Sequence, residues 1–194
     1  MVCHEFKGGI GTASRRLPAE AGGYTIGVLV QANHGTRRTL TIAGVPVGKE
    51  ITDLLPEIPS AARQSPLGKT SSIIVVVGTD APLLPHQLDR LARRAALGIG
   101  LVGGRGEDPS GDIIMAFSAA HVLDISIPPT QQVETVTLFH TDPLLEATVQ
   151  ATEESIVNAL VAARTMTGIN GNTVHALPHR RLREVLRKYN RLAG

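Results

Sequence analysis

Residues 70–101, TSSIIVVVGTDAPLLPHQLDRLARRAALGIGL, hold the pattern that decides the fold class. Ile73 to Val77 form an unbroken apolar, mostly β-branched run, which suits a strand buried on both faces better than one that is half wet. Thr79-Asp80-Ala-Pro82 and Pro85 then carry turn and helix-start signals, and Leu88, Leu91, Ala92, Ala95 and Ile99 recur at helical spacing. A buried strand feeding an amphipathic helix predicts an α/β chain.

Upstream, Gly48 to Thr70 carries Pro56, Pro59, Pro66, Ser60, Ser65 and Gly68, and is predicted to be an exposed linker. Tyr24 to Gln31 is β-rich and lies between Gly22-Gly23 and Ala32-Asn33-His34-Gly35, so a strand ending in a turn is expected. Residues 39–47 are expected to add a second strand. Downstream, Gly103 to Gly111 is a loop, Asp112 to Ala120 an apolar strand and Thr135 to Phe139 a short one. A long helix is expected from about Asp142 to Met166, with Pro143 in its first turn and Leu145, Val149, Ile156, Leu160 and Val161 as core candidates. Gly168 to Asn172 is a turn, and Pro178 opens a terminal helix.

Composition narrows the function classes. The 194 residues are 42% hydrophobic and 19% charged, enough for one or two domains with a real core, and this excludes wholesale disorder. No aliphatic run approaches the roughly 20 residues of a membrane span, so a soluble chain is expected, with no membrane partner. A net charge of +2 gives no case for nucleic acid. The basic stretch Arg180 to Arg191 interleaves Leu182, Val185, Leu186 and Tyr189 at i, i+3, i+4 and i+7, the wet face of an amphipathic helix. The single cysteine, Cys3, excludes an internal disulfide and a cysteine-built metal cage, and the scattered histidines give no metal motif, His175 and His179 being interrupted by Pro178. Gly8-Gly9-Ile10-Gly11-Thr12 resembles a phosphate loop only superficially, because no strand is expected before it and neither nucleotide-binding spacing is met. Met1 to Lys7 lacks the basic start and apolar core of a secretory signal. Glu153, Glu154 and Asn158 are expected on a helix surface or polar seam.

Three places could carry chemistry. Ser71-Ser72 sits where the linker meets the strand. A hydroxyl there can attack the preceding carbonyl, and the resulting acyl shift would split the chain and leave a new N-terminal amine, titrating near pH 8, to serve as the hydroxyl's own base. The same serines could simply end a loop. Ser110 and Asp112 lie two residues apart and face one side if the strand has begun, so they could relay protons, or equally form a local turn. Asn33 follows a strand. Its amide could donate to an oxyanion, or the residue could serve a tight turn.

The stretches MVCHEFKGGIGTASR, GVLVQANHG, SIIVVVGTDAPLLPHQLDRLARRAALGIG, SGDIIMAFSAA and ESIVNALVAARTMTGINGNTVHALPH together resemble the L-aminopeptidase/D-esterase (DmpA-type) and β-peptidyl aminopeptidase family, peptidase family S58. The resemblance implies an αββα sandwich cleaved between Ser71 and Ser72, with residues 1–71 in an α fragment and 72–194 as the β subunit of one domain. It implies a serine aminopeptidase with Ser72 as nucleophile, Asn33 in the oxyanion hole, and Ser110 and Asp112 assisting proton transfer and orienting the substrate amine. Substrates would be small peptides or amino-acid amides and esters, cofactors and metal none, and the assembly a homo-oligomer of processed α and β chains, taken here as cytoplasmic. Family chains carry Gly before the nucleophile where this one carries Ser71, and they have a substantial region upstream of the stretch matched by Met1, so an N-terminally incomplete chain is expected. Two alternatives follow, an inactive truncated homologue serving only as an associating subunit and an ornithine-acetyltransferase-like acyltransferase.

Overall fold

A computed structural model describes residues 1–57, 72–108, 110–121, 130 and 132–192. Its centre is a four-stranded sheet of β3 (Ile10–Arg16), β4 (Thr25–Gln31), β5 (Ile74–Thr79) and β6 (Ile113–Ser118), in that spatial order. β3, β4 and β5 pair antiparallel, while β5 and β6 run parallel through the crossover helix α2 (Pro85–Leu101). Before the sheet lies a small hairpin, β1 (Val2–Cys3) and β2 (Phe6–Lys7). After it come α3 (Asp142–Ala162), the hairpin β7 (Met166–Thr167) and β8 (Thr173–Val174), and α4 (His179–Lys188), with the one-turn α1 (Val47–Glu50) between β4 and β5.

Alternation along the ladders assigns the two sheet faces. Ile26, Val28 and Val30 register with Thr79, Val77 and Val75, and all six are buried beneath α2 and α3. The opposite face is built from Leu29, Ile74, Val76, Ile113, Met115 and Phe117, and the last three are 59%, 50% and 48% exposed. β5 is therefore fully buried on one face and half-buried on the other, not buried on both as its unbroken apolar run suggests. The layers described are one of helices and one of sheet, with an apolar outer sheet surface of the kind a sandwich covers.

Glycines and small residues set how closely the layers approach. A Cβ on Gly11 would run into the Ser155 carbonyl and lie 2.6 Å from Ala159 N on α3. One on Gly98 of α2 would meet Val149 O of α3 at 2.6 Å. The Gly8–Gly11 run is thus a packing device, and the hairpin β1–β2 precedes it where no strand was expected. α3 buries Ala147, Thr148, Ala151, Thr152, Ser155 and Ala159 beside Leu144, Leu145, Ile156 and Leu160. Its buried hydroxyls donate to carbonyls four residues back, which satisfies them without a partner helix. Of the expected core residues Leu145, Ile156 and Leu160 are buried, while Val149 is half-buried and Val161 exposed, and small residues complete the buried face.

Other expectations need correction. Residues 39–47 form no strand, because Ala43 and Gly44 take positive φ of 52° and 75° and fold Ile42 back onto Val45 in an isolated bridge. Thr135 to Phe139 is no strand either, and Leu138–His140 make a 3-10 turn. The long helix ends at Ala162, four residues early, and Met166 enters β7. The described part of the supposed linker is docked rather than loose, with Gly48 and Ile51 buried. Residues 58–71, including Ser71, lie outside the described residues. As expected, α4 buries Leu182 and Val185, and Asn158 Nδ2 donates to Thr12 O while Arg15 pairs with Glu154, a polar seam between α3 and β3. Among the described residues no helix is long and apolar enough to cross a membrane.

Candidate active site

Strand direction gathers the site. β4 runs antiparallel to β5 and β5 parallel to β6, with Gln31, Ile74 and Ile113 in register across one end of the sheet. The exit of β4 and the entries of β5 and β6 therefore share that end, bringing Asn33, Ser72 and the Ser110–Asp112 loop together from distant parts of the chain.

Hydrogen bonds lock the three segments. Ser72 N–H donates to the Asn33 carbonyl at 2.8 Å, extending the β4–β5 ladder by one step. Gly111 N–H donates to Ser72 Oγ at 3.0 Å, so a backbone dipole already points at the hydroxyl. Asp112 Oδ1 accepts both the Ser110 hydroxyl at 2.6 Å and Ile73 N–H at 3.0 Å. Ser110 and Asp112 thus act on each other and on the backbone beside Ser72 although they precede β6 rather than lie in it. Asn33 Oδ1 accepts Val2 N–H at 2.8 Å, which fixes which end of the amide is the acceptor and leaves Nδ2 as its donor end. Ser72 and Asn33 are half-buried and Asp112 is exposed, so the site is open to solvent on one side. Beside it lies an open depression of about 230 Å³ lined by His34, Gly35, Gly104, Glu107, Ser110 and Asp112 among others.

The four residues expected from sequence, Ser72, Asn33, Ser110 and Asp112, converge. The expected cleavage partner Ser71 lies outside the described residues. Gly111 N–H was missed, since no side chain announces it. His34 was missed too, although it adjoins Asn33. It is buried and packs edge-to-face against His4, ring centroids 5.1 Å apart, with Cys3 Sγ 3.9 Å from its Nδ1. Burial first, and His4 second, pull the His34 pKa down to about 4, while burial pushes the Cys3 thiol up to about 12. At neutral pH both are uncharged. Residues three and four of the chain reach His34 because the β1–β2 turn is clamped there. His4 N–H donates to His34 O at 2.7 Å, and buried Arg37 donates to the carbonyls of His4 and Glu5 while lying 3.2 Å from the Phe6 ring centroid. The same guanidinium also donates to the carbonyls of Ile51, Asp53 and Leu54.

The profile of peptidase family S58 matches residues 1–174. A β-peptidyl aminopeptidase of Sphingosinicella microcystinivorans is 49% identical over 201 residues, covering all of this chain and 51% of its own length. Among solved structures, the L-aminopeptidase D-Ala-esterase/amidase of Ochrobactrum anthropi, described as a prototype of the serine aminopeptidases with a variant Ntn hydrolase fold, superposes with a TM-score of 0.85 at 46% identity, over 100% of this chain and 51% of that one. A Pyrococcus horikoshii protein superposes with a TM-score of 0.87 at 41% identity, over 99% of this chain and 50% of its own. The chain spans about half the length of the curated relatives it matches.

Proposed function

Because the chain belongs to peptidase family S58, we propose that it acts as an autoprocessed serine aminopeptidase that removes N-terminal residues from small peptides or hydrolyses amino-acid amides and esters. The observation that carries this reading is the Ser72 hydroxyl at the head of β5, met at 3.0 Å by Gly111 N–H and flanked by the Ser110–Asp112 pair.

In processing, Ser72 Oγ attacks the Ser71 carbonyl carbon, the Ser71–Ser72 C–N bond breaks, and water hydrolyses the resulting ester. The freed Ser72 amine stays beside the Asn33 carbonyl that its N–H already contacts. In turnover that amine takes the Oγ proton as Oγ attacks the substrate carbonyl, the mode of an N-terminal nucleophile. Asn33 Nδ2 stabilises the oxyanion, a contribution of about 10²–10³ in rate for one such donor. Ser110 and Asp112 pass a proton to the leaving amine, and water then releases the acyl group. The same reading carries a homo-oligomer of processed α and β chains.

Intact-mass measurement on the purified protein, alongside hydrolysis of amino-acid p-nitroanilides, tests the proposal. A fragment beginning at Ser72 and anilide cleavage, both lost in Ser72→Ala, are expected. A chain that stays whole and inactive, or a Ser72→Ala protein that cleaves as well as the parent, overturns it.

A further inference from the structure

Arg37 has no part in the reaction above, yet it is only 3% exposed and all three of its guanidinium nitrogens donate to main-chain carbonyls. Nε reaches His4 O at 3.1 Å and Nη2 reaches Glu5 O at 2.9 Å, so both carbonyls of the β1–β2 turn converge on one planar group. His4 and Glu5 are the two residues between the paired Cys3 and Phe6, and they hold positive φ of 48° and 62°. Positive φ at both loop positions is the signature of a type I′ turn, which Asn-Gly or Asp-Gly normally builds. His-Glu lacks that ease, so contacts from outside the loop must hold it. Arg37 supplies them, since its own N–H also donates to Glu5 Oε2 at 3.0 Å and its side chain lies on the Phe6 ring. The fork geometry is particular to arginine, because a lysine ammonium cannot meet carbonyls on several sides of a plane.

What the turn fixes lies at the other end of the hairpin. Val2 N–H donates to Asn33 Oδ1 at 2.8 Å. An asparagine amide keeps nearly the same shape when its oxygen and nitrogen exchange places, so a half-turn of the group would aim an acceptor where Nδ2 now offers a donor. The Val2 N–H selects between the two orientations. We propose that Arg37 is a positioning residue: by holding the His4–Glu5 turn it places Val2 N–H against Asn33 Oδ1 and keeps Asn33 Nδ2 turned toward the oxyanion. This rests on the reading of Asn33 as the oxyanion donor. The remaining contacts of the guanidinium are the carbonyls of Ile51, Asp53 and Leu54, and all of its partners precede Ser71. Scission between Ser71 and Ser72 therefore leaves the clamp whole, within one fragment.

The test uses the full 194-residue protein carrying isotope-labelled asparagine, with the Asn33 side-chain amide resonances assigned by their loss in Asn33→Ala. Arg37→Lys should shift or broaden those resonances and lower kcat for an anilide by at least about tenfold, within the roughly 10²–10³ that one oxyanion donor contributes, with KM unchanged. In an Asn33→Ala background Arg37→Lys should cause no further loss of kcat, whereas merely structural damage would add. Val2→Pro removes the one N–H and should reproduce both effects, which keeps the test open if Arg37→Lys does not fold. Asn33 amide resonances unmoved in either folded variant, or a kcat loss that persists in full in the Asn33→Ala background, overturns the proposal. A parent chain that hydrolyses no anilide overturns the aminopeptidase reading instead, and the amide resonances alone then decide the role of Arg37.

Discussion

The carboxylate of Asp112 accepts the backbone N–H of Ile73 at 3.0 Å, so the residue after Ser72 is held by a side chain from the entry of the neighbouring strand. The same oxygen takes the Ser110 hydroxyl. One atom therefore fixes both the backbone beside the nucleophile and the hydroxyl next to it.

That shared oxygen allows charge and geometry to be separated. Asp112→Asn keeps an oxygen acceptor for Ile73 N–H and should leave stability within about 0.5 kcal/mol, yet lower anilide hydrolysis by about 10²–10⁴ as general acid–base function is lost. Asp112→Ala removes the acceptor too and should cost a further ~1 kcal/mol. Denaturant melts and initial rates on the two variants check this. Equal stability losses would mean that the hydrogen bond to Ile73 contributes nothing.

Ser71 stands where the resembled family has glycine. If its Cβ hinders the attack geometry, Ser71→Gly should raise the rate at which the Ser72 fragment accumulates, followed by mass spectrometry after synthesis. An unchanged rate would show that the preceding side chain does not limit processing.

The Gly8–Gly11 run should respond to substitution by packing alone. Gly11→Ala drives a methyl into the α3 backbone and should destabilise by about 2 kcal/mol or more. At Gly9 the nearest atom is 4.0 Å away, so Gly9→Ala should stay within about 0.5 kcal/mol. Thermal unfolding of the pair separates a packing role from a phosphate-binding one, which would make both variants equally stable.

α4 and the adjoining Tyr189 are held to α1 and the residues after it by Lys188 and Tyr189 on Glu50 and by Arg181 on Asp53. These donors lower the pKa of both carboxylates below their ordinary values of 4.5 and 3.8. A depressed folded-state pKa means stabilisation is present above the ordinary pKa and is lost as pH falls through the lowered one. The protection of α4 amides, measured against intrinsic exchange at each pH, should therefore be greater at pH 6 and fall below about pH 4, and Glu50→Gln should blunt the change. Exchange in α4 that ignores both would remove these pairs from its docking.

What could be read in the sequence follows the range of the forces involved. β4, β5, α2 and α4 were legible because apolar periodicity and turn residues act within a few positions. The end of α3 was not, since Ala163 to Thr165 carry no breaker and the Met166–Val174 pairing that stops the helix is a contact with a later strand. Residues 39–47 misled because their β-rich composition is overruled by left-handed backbone at Ala43 and Gly44. At the site, Ser72, Asn33, Ser110 and Asp112 could be named from residue type and family resemblance. Gly111 N–H and the Cys3–His4–His34 cluster could not, because one is backbone and the other joins residues some 30 positions apart.

β5 is gripped from both sides, by the antiparallel ladder of β4 and the parallel ladder of β6. A break in the chain just ahead of it would cut covalent continuity without freeing a strand, for the severed end stays pinned by Asn33 O on one flank and Gly111 N–H on the other. Scission at that point would be mechanically silent, turning an internal serine into a chain terminus without moving it.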